Sequence, residues 1–301
     1  MKILITGSNG LLGQKLIHKL KSDSFFDVIA TSKGSNRISN KEGYKYFNLD
    51  ITDNFAVSNI IFDVQPDVVI NTAAMTDVDL CEELKQKCDD LNINAVKYLA
   101  NACLKIDAHL IHISTDFVFD GKSGPYKEND KTNPLSYYGM SKLKSEQILF
   151  HNDVKFAILR TIILFGVGEG LTKSNIVLWA KSALKKGLKL NIIDDQFRAP
   201  TLAEDLADAC ILAAKKKALG IYHVSGKDIM SIYEIVERIA KYFSYSIDNL
   251  NRINTSSLKQ KASRPPKTGF ILDKAISQLN YNPHSFDESL SIINKQLKQQ
   301  L

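Results

Sequence analysis

The first thirteen residues constrain the fold more than any other stretch of this chain. Lys2-Ile3-Leu4-Ile5-Thr6 is a short continuous apolar run, the mark of a buried parallel strand. It leads straight into Gly7-Ser8-Asn9-Gly10-Leu11-Leu12-Gly13, and residues 14–20 then place Leu16, Ile17 and Leu20 on one helical face. Strand, glycine turn and helix together make a dinucleotide-binding fingerprint. The glycines let backbone N–H groups approach a pyrophosphate, which sits at the positive end of the helix. Gly7, Asn9, Gly10, Leu11, Leu12 and Gly13 are the expected cofactor-binding residues, because the pattern lies between a strand and a helix. The alternative is a glycine-rich turn that holds no ligand.

The rhythm continues. A second strand is expected over 27–31, followed by Ser32-Lys33 where an acid would bind the ribose 2′-hydroxyl of NAD. Hydroxyl and cationic groups, with Arg37 close behind, suit a 2′-phosphate and favour NADPH, with NADH as the other choice. Otherwise Lys33 and Arg37 are ordinary loop charges. A third strand over 46–51 carries Asp50 and Ile51, with Asp50 placed to contact the adenine edge. A helix over 54–63 precedes a strand that ends in Asn71-Thr72-Ala73-Ala74, whose small side chains let the backbone lie against a dinucleotide. A helix over 84–104 carries Asn92. The strand at 109–116 ends in Ser114-Thr115-Asp116, and a sixth spans 154–161.

Strands alternating with helical stretches of this length predict a doubly wound α/β sheet, Rossmann-like. The expected nucleotide-binding domain is 1–165, with 193–225 returning to it. A smaller discontinuous α/β lobe, 166–192 and 226–301, is expected to hold the substrate. Within it helices are expected over 175–186 and from about 286. Another helix, over 231–243, carries Ser231 and Glu234 at capping-box spacing.

In open parallel sheets the ligand lies outside the carboxyl ends of the strands, which is where Thr115 falls. Tyr138 and Lys142 are four apart in a helical pattern that follows Pro134 and Gly139, so they share a face. A lysine ammonium one turn away favours the phenolate and lowers an ordinary tyrosine pKa of about 10. The pair then suits proton transfer to a carbonyl oxygen, which Thr115 can hydrogen-bond as well. No other tyrosine of the chain has a lysine four residues on.

Composition excludes several classes. No apolar run is long enough to span a bilayer, and Ile3-Leu4-Ile5 is too short for the apolar region of a signal peptide. The four cysteines are scattered without Cys-x-x-Cys, so neither a disulfide framework nor a metal site is indicated and the expected location is cytoplasmic. His109 and His112 share one strand with no ligand cluster nearby and are read as packed. The net charge of +6 comes from dispersed lysines, apart from runs at helix ends such as Lys215-Lys216-Lys217. Neither a nucleic-acid nor a membrane partner is expected, and anionic small molecules are.

These motifs resemble the extended short-chain dehydrogenase/reductase superfamily. Within it the chain is most similar to the dTDP-4-dehydrorhamnose reductase family. The resemblance rests on Thr6-Gly7-x-x-Gly10-x-x-Gly13, Ser114-Thr115-Asp116-Phe117-Val118-Phe119 and Tyr138-Gly139-x-x-Lys142. Thr76-x-Val78-Asp79, Asp195-Gln196-x-x-x-Pro200-Thr201 and Ala262-Ser263-Arg264-Pro265 extend it to the rest of the chain. It implies NADPH-dependent reduction of the C4 ketone of a nucleotide-linked 4-keto-6-deoxyhexose, dTDP-4-dehydrorhamnose to dTDP-rhamnose in that family, and it is compatible with a homodimer. Thr115, Tyr138 and Lys142 match the catalytic triad. Asn92 resembles a helix asparagine that completes a proton path, and with Ala73, Ala74, Tyr138 and Lys142 it adjoins the cofactor. The substrate side implied by the resemblance is Val78, Asp116, Asn175, Gln196, Arg198, Thr201 and Arg264.

Arg198 departs from the pattern, since the typical reductase has glycine there. It matches instead the non-catalytic regulatory β subunit of methionine adenosyltransferase. Two other functions follow as alternatives: reduction of a different keto-sugar nucleotide, or an NADP-binding regulatory subunit. A dehydratase is disfavoured because Asp116 is followed by Phe117 and not by a second carboxylate.

Overall fold

The computed structural model describes residues 1–258 and 260–299. Its first half runs β1 (Lys2–Thr6), α1 (Leu11–Leu20), β2 (Asp27–Ser32), β3 (Lys45–Asn48), α2 (Asn54–Val64), β4 (Val68–Asn71), α3 (Val78–Glu83), α4 (Lys85–Asp89), α5 (Ala95–Lys105), β5 (His109–Thr115), α6 (Tyr137–Phe150) and β6 (Phe156–Thr161). Then follow β7 (Leu164–Phe165), α7 (Ile176–Lys185), β8 (Leu190–Ile193), β9 (Phe197–Arg198), β10 (Thr201–Leu202), α8 (Ala203–Lys215), β11 (Gly220–His223), β12 (Met230–Ser231), α9 (Ile232–Tyr242), β13 (Leu250–Ile253) and α10 (Phe286–Gln299).

Seven of these strands form one parallel sheet in the order β11-β6-β5-β4-β1-β2-β3. The order reverses between β1 and β4, so a crevice opens beyond their carboxyl ends, the place where such sheets bind ligands. Ile3, Leu4 and Ile5 are fully buried and alternate between the two faces of the sheet. Ile3 and Ile5 pack in the core under α1 and α8, and Leu4 packs in the core under α2 and α5. The strand therefore anchors both layers. This is the doubly wound α/β fold expected from the sequence.

A separate core joins Val177 and Leu184 of α7, Ile235 and Ile239 of α9, and Leu290 and Ile293 of α10. Parallel pairing of β8 with β13 closes this second layer. The expected capping box is present: the Ser231 hydroxyl accepts from Glu234 N at 3.0 Å, and the Glu234 carboxylate accepts from Ser231 N at 2.7 Å. Phe270, Leu272, Ala275 and Tyr281 behave differently. They pack in the first core, against the nucleotide-binding sheet, and not in the lobe expected for everything after residue 226.

Two local expectations need correction. The single helix over 84–104 is instead α4, a π-helical turn from Asp90 to Asn94, and α5. Such one-turn widenings often occur at functional sites, and this one carries Asn92. The third strand stops at Asn48, leaving Asp50 and Ile51 in the turn beyond it. Among the described residues, no helix is long and apolar enough to cross a membrane.

Candidate active site

The cofactor side is a cradle from which side chains are excluded. Gly7 has φ +69°, and a Cβ there would lie 2.7 Å from the backbone nitrogen of Ala73. A Cβ on Gly13 would meet the carbonyl oxygen of Gly7 at 2.6 Å. These two glycines let β1, α1 and the Ala73-Ala74 segment converge. Gly10 caps α1 without any side-chain hydrogen bond, so the free N–H groups of that first turn remain available to a phosphate. Leu11 opens the helix and buried Leu12 locks it onto the core. The residues present fit a dinucleotide.

The remaining nominated residues divide between contact and support. The Asn9 side chain is engaged by the loop after β2: its amide donates to Ser35 O at 2.8 Å and accepts from Arg37 N at 2.9 Å. It thereby shapes the loop that carries Ser32, Lys33 and Arg37. Lys33 meets Asp50 at 2.6 Å, so the carboxylate expected at the adenine edge neutralises the cation expected at the 2′-phosphate. Ile51 is buried beside it. An open hollow of about 650 Å³ adjoins this loop, lined by Gly34, Ser35, Asn36, Lys41, Tyr44, Tyr46 and Asn48.

Thr115 ends β5, and its hydroxyl accepts from Phe117 N at 3.3 Å, starting a tight turn. Ser136 caps α6. A Cβ on Gly139 would lie 2.3 Å from Phe117 O, so only glycine lets the first turn of α6 abut that turn. This close approach sets Tyr138 beside Thr115, its ring edge-on to Phe117. The phenol is pushed up and not down. Burial dominates, and the Thr115 hydroxyl opposes it only in part. The Lys142 ammonium is itself fully buried and pushed down to about 8, with Glu146 opposing the shift. Its nitrogen lies 3.0 Å from His112 Nε2.

Asn92 is saturated: its amide accepts from Met75 N at 2.8 Å and donates to Met75 O and to Ser141 Oγ, each at 3.0 Å. It ties the segment after β4 to α6, directly under Tyr138. Asp79 belongs to the Thr76-x-Val78-Asp79 motif, whereas the ion pairs of the α3 acids and of the cap residue Asp77 carry no signal in the sequence. Asp79 holds Arg264 at 2.7 and 3.2 Å, Asp77 holds Lys173 at 2.7 Å, and Glu83 pairs with Lys261. Val78 begins the helix between them, partly exposed.

The other nominated substrate residues are occupied by the chain itself. Buried Asp116 accepts from Thr268 Oγ1 at 2.5 Å and has Arg198 Nε at 3.8 Å. Burial pushes its carboxyl up, with Arg198 opposing. The Arg198 guanidinium is equally buried and donates to the carbonyls of Phe197, Pro265 and Pro266 at 2.7, 2.6 and 3.3 Å. Gln196 bonds Thr255, and buried Thr201 bonds Ile162 O at 2.7 Å. Asn175 caps α7 and donates to Gly166 O at 2.7 Å.

The sequence pattern of the RmlD substrate binding domain matches residues 1–299. The chain belongs to the dTDP-4-dehydrorhamnose reductase family. It is 32% identical to the dTDP-4-dehydrorhamnose reductase of Aggregatibacter actinomycetemcomitans, over 97% of this chain and 98% of that one. It is 34% identical to the methionine adenosyltransferase 2 subunit beta of Bos taurus, over 88% of this chain and 78% of that one. The crystal structure of the dTDP-4-dehydrorhamnose reductase of Bacillus anthracis, in complex with NADP, superposes with a TM-score of 0.84. It is 26% identical and covers 98% of this chain and 99% of that one. Membership accounts for the order of motifs along the whole length, from the Gly7 cradle to Arg264.

Proposed function

We propose that this member of the dTDP-4-dehydrorhamnose reductase family reduces the C4 ketone of a nucleotide-linked 4-keto-6-deoxyhexose with NADPH. The favoured substrate is dTDP-4-dehydrorhamnose, giving dTDP-rhamnose. The observation that carries the reading is Tyr138 buried against the hydroxyl of Thr115, the last residue of β5, with Lys142 one turn further along the same helix. The dihydronicotinamide, when bound, supplies the hydride that goes to the ketone carbon.

The residues supply the rest. Because burial holds the Tyr138 phenol in its protonated form, it is a proton donor at neutral pH and suits reduction. The O–H bond of Tyr138 breaks as the new alcohol O–H forms, and Thr115 donates a hydrogen bond to the same oxygen. Lys142 then restores the proton. Arg264 suits the diphosphate by its planar fork, and Asp79 holds it in place until an anion arrives.

The test is the loss of NADPH absorbance with dTDP-4-keto-6-deoxyglucose, with and without an epimerase. Turnover only with epimerase supports dTDP-4-dehydrorhamnose as substrate; turnover without it points to another keto-sugar. Tyr138→Phe lowers kcat by about 100- to 10,000-fold and leaves NADPH affinity unchanged; undiminished turnover refutes the mechanism. A second reading is favoured by the similarity to the methionine adenosyltransferase subunit and by Arg198. In that reading the chain binds NADP and a partner protein, and no keto-sugar nucleotide oxidises its cofactor.

A further inference from the structure

Between β4, β5 and α6 runs a file of buried polar groups of which the reaction above uses only Lys142. His112, 1% exposed, occupies its centre. Its Nδ1 lies 3.1 Å from Asn71 Nδ2, and its Nε2 lies 3.0 Å from both Lys142 Nζ and Ser145 Oγ. Asn71 Oδ1 accepts from Thr6 Oγ1 at 2.7 Å and from Ala73 N at 3.3 Å. The other charged or titratable neighbours of Lys142 are Glu146, held by Arg160 at 2.7 Å, and Cys88.

The proton inventory of this file is over-determined. The Asn71 oxygen is engaged by Thr6 and Ala73, so its amide nitrogen faces His112. An amide nitrogen only donates, so Nδ1 must accept and the ring proton sits on Nε2. Ser145 agrees: its own proton goes to Lys142 O at 2.6 Å, leaving a lone pair for Nε2–H. That proton also faces Lys142. An amine has a lone pair to receive it, whereas an ammonium has three donors and no acceptor. When Lys142 is charged, the ring proton must move to Nδ1 and the Asn71 amide must turn over, giving up its bonds with Thr6 and Ala73. Imidazolium is excluded as a resting state, because burial and the neighbouring lysine both hold His112 far below its ordinary pKa.

We propose that His112 is a positioning residue for the reaction: pinned between the Asn71 amide and the Lys142 nitrogen, its tautomer is coupled to the charge of Lys142 and sets the pH at which that lysine takes up a proton. This rests on the reductase reading, since it concerns the group that returns a proton to Tyr138. A passive core histidine keeps one tautomer throughout. A coupled one changes tautomer as Lys142 titrates.

Nitrogen NMR of the His112 ring in the full-length protein, across the alkaline range, tests this directly. The expected result is Nε2–H at high pH and Nδ1–H once Lys142 is charged, with one midpoint. NADPH affinity, followed by fluorescence titration, falls with the same midpoint, because the amine has lost a charge and a donor. Two variants move that midpoint upward by about one pH unit or more, since each offers an acceptor that favours the ammonium. In His112→Gln the side-chain oxygen accepts from Lys142 directly. In Asn71→Asp a carboxylate fixes the ring as Nδ1–H. A single His112 tautomer across the titration overturns the proposal, as does an unmoved binding midpoint in both variants. The NMR measurement needs no variant to fold. Neither readout needs a keto-sugar, so an inactive but coupled protein refutes the reductase reading alone.

Discussion

Replacing Lys142 with methionine should abolish turnover and make the protein more stable at neutral pH. A buried lysine gives up its proton at about 8 in the fold, against 10.5 for an ordinary lysine. Each pH unit of that separation is worth about 1.4 kcal/mol, so holding the charged form costs the native state about 3 kcal/mol below pH 8. The sign follows from proton counts. Between about 8 and 10.5 the unfolded chain holds the proton and the native state does not, so wild-type stability rises with pH across that window. Methionine has a similar length and no charge, and it leaves His112 Nε2 its bond to Ser145. Subtracting about 1 kcal/mol for the lost hydrogen bond, Lys142→Met should exceed wild type by roughly 2 kcal/mol near neutral pH. Near pH 10 the gap should close or reverse. Urea unfolding of both proteins at the two pH values, followed by circular dichroism, measures it. A variant less stable than wild type at neutral pH, or a gap that ignores pH, refutes the argument that burial governs this lysine.

Further outcomes follow from the same geometry. Gly139→Ala sets a Cβ 2.3 Å from a backbone oxygen that cannot swing away, so α6 must shift and carry Tyr138 with it. A misplacement of about 1 Å should lower kcat by about 100-fold while the circular dichroism spectrum stays native. Arg198→Gly leaves buried Asp116 without its cation. It should cost about 3 kcal/mol or more in urea unfolding. Asp79→Asn frees Arg264 from a partly exposed pair, so stability should change by less than about 1 kcal/mol. The KM for the nucleotide sugar should fall at low ionic strength; an unchanged KM shows that the diphosphate does not engage Arg264.

What could be read from the sequence was whatever local pattern dictates. The apolar run before Gly7, the period of α1 and the Ser231–Glu234 cap each lie within a dozen residues, and each stands where expected. Tyr138 and Lys142 share a helix face for the same reason. The failures are long-range. The break at Asn92 is held by Met75, seventeen residues earlier, so helical periodicity alone does not show it. Arg198 looks like a pocket residue until the carbonyls of Pro265 and Pro266 close around it. The lowering expected for Tyr138 assumed exposure to Lys142 and omitted burial. His112 had a readable signal: period two puts it on one face of β5 with Ser114. Helical spacing puts Lys142, Ser145 and Glu146 on one face of α6. Only the docking of those faces, some thirty residues apart in sequence, joins them.

The return of Phe270 to Tyr281 to the first core has a consequence for the order of biosynthesis. Domains usually fold from the N-terminus as the chain leaves the ribosome. Here the hydroxyl that satisfies Asp116 belongs to Thr268, and Tyr126 forms an isolated bridge with Phe270. The polar surroundings of Asp116, next to Thr115, are thus completed by residues translated more than a hundred codons after it. A nascent chain can build the six-stranded sheet from β1 to β6 early and yet remain unable to close its own site. Arrival of the segment around Thr268, and not sheet formation, is then the step that completes the surroundings of Asp116.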